Sequence, residues 1–247
     1  MDKWHYSRET VIEGSDVDAQ YHCKMSRLFH IVQETATEHS ILLEISREHA
    51  LQKYNCFWMI LRVFISLKRP LTWHETLRTE ISMRRPLGSR LYWDCDFYVG
   101  DEWVGEATPV FVLVNRDSRK PVNLEALPEF PQTDVSDKHR VLGRITFPEG
   151  MELYDVRRLY YSDADMNGHI NNARYVDLAC DTAQLELRPK GAFLQEITIS
   201  YIGECFPGET LRYYRAKENG VLYIHGVGAD GSDRFDCKLR MSTDEGM

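Results

Sequence analysis

No two of the six cysteines (Cys23, Cys56, Cys95, Cys180, Cys205, Cys237) stand close enough to form a CxxC pair. That excludes the usual zinc spacings and fits reduced thiols in a cytoplasm, so no metal or cofactor is expected. Positive charge is also short: 30 Lys and Arg face 38 Asp and Glu, a formal −8 at pH 7. Nucleic-acid binding rests on Lys and Arg neutralising phosphates, and this balance argues against it. No apolar run approaches the roughly 20 residues that a membrane-spanning helix needs. The opening MDKWHYSRET has no basic stretch leading into an apolar one and no Ser/Arg-rich leader, so it reads as neither a secretory signal nor a transit peptide. What is present is ordinary for a globular chain: 43% apolar and 28% charged residues over 247 positions, enough for one large core or two smaller ones.

An internal repeat decides between one core and two. The stretch from Ser15 to Ala36 aligns without gaps on Ser162 to Ala183, an offset of 147. Seven of the 22 pairs are identical (Ser15, Asp16, Asp18, His22, Arg27, Thr35 and Ala36), and Gln20 faces Asn167 among them. A second match follows in the same order, Ile65-Ser66 and Glu75–Arg78 against Ile199-Ser200 and Glu209–Arg212, at an offset of 134. Two copies of one domain account for both matches.

Each copy has a polar loop, then apolar residues at helical spacing: Met25, Leu28, Phe29, Val32 and Ala36, or Ala173, Val176, Ala179, Cys180 and Ala183. Asn171-Asn172 suits a helix N-cap. Strand-like runs follow, over 57–67, 76–83, 90–99 and 108–114 in the first copy and 193–201, 210–216, 221–228 and 235–241 in the second. The expected class is α+β, an antiparallel sheet wrapped around a central helix in each of two tandem domains. The domains are placed at 1–135 and 150–247. Between them, 115–150 includes an extended linker, with Pro121, Pro128, Pro131 and Pro148 in or near it.

The chemistry-bearing groups gather in Asp165-Met166-Asn167-Gly168-His169-Ile170-Asn171-Asn172, just before the second helix. An i, i+2, i+4 spacing in extended chain puts a carboxylate, an amide and an imidazole on one side. The free N–H groups of the helix start could also meet a developing oxyanion. A helix-capping loop with no chemistry explains the same residues equally well. The seven other histidines (His5, His30, His39, His49, His74, His139, His225) show no partner spacing and read as structural or solvated.

Followed some 30 residues later by Glu204-Cys205, this string resembles the acyl-(acyl-carrier-protein) thioesterase family, the tandem hotdog enzymes, in their bacterial type. The resemblance covers nearly the whole chain. It implies hydrolysis of the thioester of a fatty acyl chain held on the phosphopantetheine of acyl carrier protein, which releases free fatty acid and terminates fatty acid synthesis. It implies catalytic roles for Asp165, Asn167, His169, Glu204 and Cys205. In the first copy Asp18, Gln20 and His22 echo the loop, but Pro70-Leu71 stands opposite Glu204-Cys205, so that copy reads as scaffold and acyl pocket.

A thioester is already activated, so a placed water, a base and an oxyanion donor suffice. In one scheme Glu204 and His169 handle the proton of a nucleophilic water, Asn167 orients the carbonyl or the water, and Asp165 fixes His169 or Asn167. In the other, Cys205 is the nucleophile, paired with His169 and oriented by Asn167. The segment 62–90 carries seven basic residues against two acidic ones and could offer a basic face to an acidic carrier protein. A solvated strand face explains it as well. Rival readings are a hotdog acyl-CoA thioesterase and a non-catalytic acyl-binding hotdog protein. Chain-length preference and oligomeric state, a homodimer included, are left open by the sequence.

Overall fold

The computed structural model describes residues 3–133, 138 and 140–242. His139 is outside the described residues. The chain forms two compact units: Met1–Ile12, His30–Ile65 and His74–Leu142 in the first, and Glu13–Phe29, Ser66–Trp73 and Gly143–Met247 in the second. The polar loop of the first copy therefore belongs to the second unit.

The elements of the first copy are β1 (His5–Val11), α1 (Met25–Leu42), α2 (Arg47–Tyr54), β2 (Cys56–Leu67), β3 (Thr76–Met83), β4 (Arg90–Val99) and β5 (Glu102–Asn115). Those of the second copy are β6 (Glu152–Arg158), α3 (Asn172–Thr182), β7 (Leu194–Tyr201), β8 (Thr210–Glu218), β9 (Val221–Gly228) and β10 (Asp233–Met241). All eight expected strands are present, within six residues at their ends. The sequence reading omits β1, β6 and α2.

Strand order is β1-β3-β4-β5-β2 in the first copy and β6-β8-β9-β10-β7 in the second, the same topology twice. β3 pairs antiparallel with β1 and β4, and β8 pairs antiparallel with β6 and β9. The registers repeat as well: Leu77 faces Thr10 and Leu211 faces Arg157, matching the offsets of 134 and 147.

Each five-stranded set packs against one helix. In the first unit Ile31, Val32 and Ala36 turn inward from α1, and its far end meets β1 and β4. The Tyr6 hydroxyl donates to Glu38 (2.9 Å), and Trp93 Nε1 donates to His39 Nδ1 (3.3 Å). With Nδ1 accepting, His39 Nε2 donates to the Lys3 carbonyl (2.9 Å), and burial lowers its pKa. In the second unit Tyr175 of α3 meets Tyr201 and Phe235 edge-on, with centroids 5.7 and 5.4 Å away. Gly226 leaves room for the Phe235 ring, which a Cβ there would strike.

Part of the linker segment lines the first unit. Val114 bridges to Pro121, Trp58 meets Phe130 edge-on, and Leu142 joins a buried cluster with Phe64, Tyr92 and Val110. Two of the seven basic residues of 62–90 are buried as well. Arg62 donates to the Leu142 carbonyl (2.8 Å). Arg84 holds Asp94 through Nε (2.6 Å) and Nη2, and donates to the Arg140 carbonyl (2.7 Å). These two pin the segment and so are not part of a basic face, which leaves Lys68, Arg69, Arg78, Arg85 and Arg90 as its candidates.

His225 has partners that sequence spacing hides. Its Nδ1 contacts Asp236 (2.8 Å) and its Nε2 contacts Asp233 (3.2 Å), both on β10. The Asp236 hydrogen bond, and then the two carboxylate charges, raise its pKa against the opposing effect of burial.

Two predictions follow from these pairs. Asp94→Asn strands a buried guanidinium and should cost about 3–5 kcal/mol of unfolding free energy in a urea titration. A wild-type value would show the pair to be dispensable. The raised His225 pKa contributes stability that is complete below the unfolded value near 6.5 and is lost as pH rises through the folded value. The urea midpoint should therefore fall as pH rises past 6.5, and Asp236→Asn should flatten that slope; an equal slope in both proteins would contradict it.

Candidate active site

The loop before α3 is a tight structure of its own. Asp165 N–H donates to the His169 carbonyl (2.9 Å), and Gly168 N–H donates to the Asp165 carbonyl (3.0 Å). Asp165 Oδ1 accepts the Asn167 backbone N–H (2.8 Å), and Oδ2 accepts the Asn167 side-chain amide (3.3 Å). Gly168 takes a φ of 82°, which a residue without a Cβ adopts freely. The result is an exposed Asn167 and a partly exposed His169 above an Asp165 carboxylate committed to Asn167. His169 Nδ1 is 3.9 Å from Asp165 Oδ1, beyond hydrogen-bond reach. Of the two roles expected for Asp165, this geometry matches the fixing of Asn167.

The other half of the motif arrives through the backbone. Ile170 N–H donates to the Cys205 carbonyl (2.8 Å), which brings Glu204-Cys205 beside His169. Glu204 is exposed, and its carboxylate makes no hydrogen bond or ion pair among the described residues. Cys205 is fully buried. Burial pushes its thiol pKa up, and a hydrogen bond with Tyr175 offsets this only in part. The Tyr175 phenol beside it is pushed up further, again chiefly by burial. A protonated, covered thiol is poorly suited to nucleophilic attack.

The helix start is partly occupied by its own cap. Asn171 is the N-cap: its side chain accepts Ala173 N–H (2.8 Å), and its carbonyl accepts Arg174 N–H (2.9 Å). Two first-turn donors are thereby used by the cap itself.

The first copy reproduces the backbone part of this framework. Asp18 N–H donates to His22 (2.9 Å), Gln20 N–H to Asp18 Oδ1 (2.8 Å) and Cys23 N–H to Leu71 (2.7 Å). Leu71 is thus the counterpart of Cys205, as the strand offset of 134 requires. The groups on that framework differ. Tyr21 takes the left-handed φ of 62° where the second copy has Gly168. Asp18 is paired with Arg188 (2.7 Å), and Gln20 Oε1 accepts the Gly191 N–H (3.3 Å), so the loop is tied to the segment after α3. His22 Nδ1 is buried without a hydrogen-bond partner, and burial lowers its pKa against the pull of Asp18.

Sequence reasoning assigns no role to two neighbours of the site, Tyr175 and the Asp163–Arg174 ion pair (2.8 Å). The last has a signal in the repeat, since Asp16 and Arg27 recur as Asp163 and Arg174 at the same spacing, and Arg27 Nε is 3.1 Å from Asp16. Burial alone would raise the Asp163 pKa, but the Tyr160 amide and Arg174 outweigh it and lower the value. An open groove lined by Glu149, Ala183, Leu185, Arg215, Lys217 and Leu222 begins at the opposite end of α3 and includes none of the loop residues.

Comparison with known proteins places the chain. An oleoyl-acyl carrier protein thioesterase from Arabidopsis thaliana is 24% identical over 97% of this chain and 72% of its own length. One from Coriandrum sativum is 23% identical over 81% of this chain, which spans only 59% of that relative. Among solved structures, an acyl-ACP thioesterase from Bacteroides thetaiotaomicron superposes with a TM-score of 0.88 at 18% identity, covering 98% of this chain and 100% of the other. A 12:0-ACP thioesterase from Umbellularia californica gives 0.80 at 17% identity, with 97% of each chain covered. At such identities these two establish the fold, the tandem hotdog. The family models for the acyl-ACP thioesterase N-terminal domain and C-terminal domain match residues 3–129 and 149–246. The chain belongs to the acyl-ACP thioesterase family.

Proposed function

We propose that the chain hydrolyses the thioester of a fatty acyl group carried on the phosphopantetheine of acyl carrier protein, releasing free fatty acid and ending chain growth. The observation that carries this reading is the Ile170–Cys205 backbone contact, because it unites an exposed Asn167 and His169 with Glu204 in one copy only. Residues 150–247 form the catalytic domain. Residues 1–135 are scaffold and acyl pocket, and 115–150 includes the connection. A reducing, cytoplasmic setting belongs to the same reading and is supported by six free cysteines.

Water is the nucleophile. Glu204 and His169 together take up one proton from the water as its oxygen adds to the thioester carbonyl, and His169 returns that proton to the phosphopantetheine thiolate as the C–S bond breaks. Asn167, held by both oxygens of Asp165, offers an oriented amide to the carbonyl or the water. Cys205 supports the site by packing against Tyr175, since its buried thiol is held protonated.

Free-thiol release from parallel acyl-carrier-protein and acyl-CoA panels tests the reading. Turnover should favour the carrier-bound substrates. Glu204→Ala and His169→Ala should each lose on the order of 100-fold or more in kcat, as expected of groups that move protons in the transition state. Cys205→Ala should keep measurable activity. A dead Cys205→Ala would overturn the water scheme, and turnover of acyl-CoA alone would overturn the substrate assignment.

A further inference from the structure

We infer that Asp163 and Arg174 are positioning residues that hold the loop bearing Asp165, Asn167 and His169 in its working geometry. Its kinetic consequences rest on the hydrolase reading above; the loop geometry does not. Asp163 is 2% exposed and fastens both ends of the loop. At the entry, its Oδ2 accepts the Tyr160 N–H (2.8 Å). At the exit, its carbonyl accepts the N–H of Asn171, the cap of α3 (2.9 Å). The remaining oxygen, Oδ1, accepts two N–H groups of Arg174, Nε at 3.0 Å and Nη2 at 2.8 Å. Arg174 in turn donates through Nη1 to Asp177 (2.6 Å), one turn further along α3. A planar guanidinium thus locks the carboxylate to the helix from two sides, and the catalytic loop is strung between the two backbone bonds.

The first copy supplies an internal comparison. Asp16 keeps the backbone bonds at both ends, accepting Glu13 N–H at Oδ2 (3.0 Å) and Lys24 N–H at its carbonyl (2.8 Å). Arg27 faces Asp16 only through Nε, at 3.1 Å and without hydrogen-bond alignment. The position matching Asp177 is His30, which carries no carboxylate. The tighter, two-carboxylate lock therefore occurs in the copy whose loop carries Asn167 and His169. A loop with only its own short-range bonds would sample other orientations, and misplacement by about 1 Å of a reacting group can cost on the order of 100-fold in rate. No other contact described at Arg174 explains why both its faces are used.

The test compares Arg174→Gln with Arg27→Gln in the full-length protein, by amide hydrogen exchange and by kcat and KM. Arg174→Gln should speed exchange across 163–171 and lower kcat on the order of 10- to 100-fold with little change in KM. Arg174→Lys, which reaches one carboxylate but not both, should recover part of each effect. Arg27→Gln should speed exchange only across 16–24 and keep the wild-type kcat. Unchanged exchange at 165–169 in Arg174→Gln, or an equal loss of kcat in Arg27→Gln, would overturn the proposal. A wild-type protein that hydrolyses no thioester would sink the hydrolase reading alone, because the exchange comparison still decides whether Arg174 holds the loop.

Discussion

One backbone hydrogen bond joins two motif halves that lie 35 residues apart. Ile170 N–H reaches the Cys205 carbonyl at 2.8 Å, and through it Glu204 comes to the side of His169. Neither half carries a hydrolytic site alone: the loop has an amide and an imidazole, and the strand exit has a carboxylate. The bond is also independent of side-chain identity, so it survives in the first copy between Cys23 and Leu71, where Pro70 stands at the position of Glu204. The fold delivers the junction in both copies, and the residues placed on it differ.

That separation changes the meaning of the internal repeat. The identities between the copies are largely those the framework needs. Asp16 and Asp163 take the amides that close their loops, and Asp18 and Asp165 take the amide two residues on. Thr35 and Thr182 both donate back to the carbonyl four residues earlier. The copies diverge at Glu204-Cys205 against Pro70-Leu71, Asn167 against Gln20, and Gly168 against Tyr21. Shared Asp and His residues suggest shared chemistry at first sight, yet Asp18 is spent on Arg188 and the His22 Nδ1 is covered without a hydrogen-bond partner.

The legible part of the fold was the buried part. Strands β2 to β5 and β7 to β10 carry dense β-branched and aromatic runs because they face a helix, and their patterns mark them. β1 and β6 are outer strands: β6, ELYDVRR, exposes nearly every residue and so has no apolar alternation to read. α2 buries only Ala50 and lacks an apolar stripe for the same reason. Side-chain direction was equally hidden. Arg62 and Arg84 look like surface charge in a basic segment, but Arg62 finds the Leu142 carbonyl, distant in sequence, and Arg84 finds the buried Asp94 carboxylate on β4. At the site, the residue types came from the string itself, whereas the partner of Asp165 and the burial of Cys205 needed three dimensions.

The central claim is that water, and not Cys205, attacks the thioester. Intact-mass measurement of enzyme quenched in acid during turnover of an acyl-carrier-protein substrate tests it most directly. The account predicts a protein mass that never changes through the first and later turnovers. A stoichiometric acyl adduct that maps to Cys205 would contradict it.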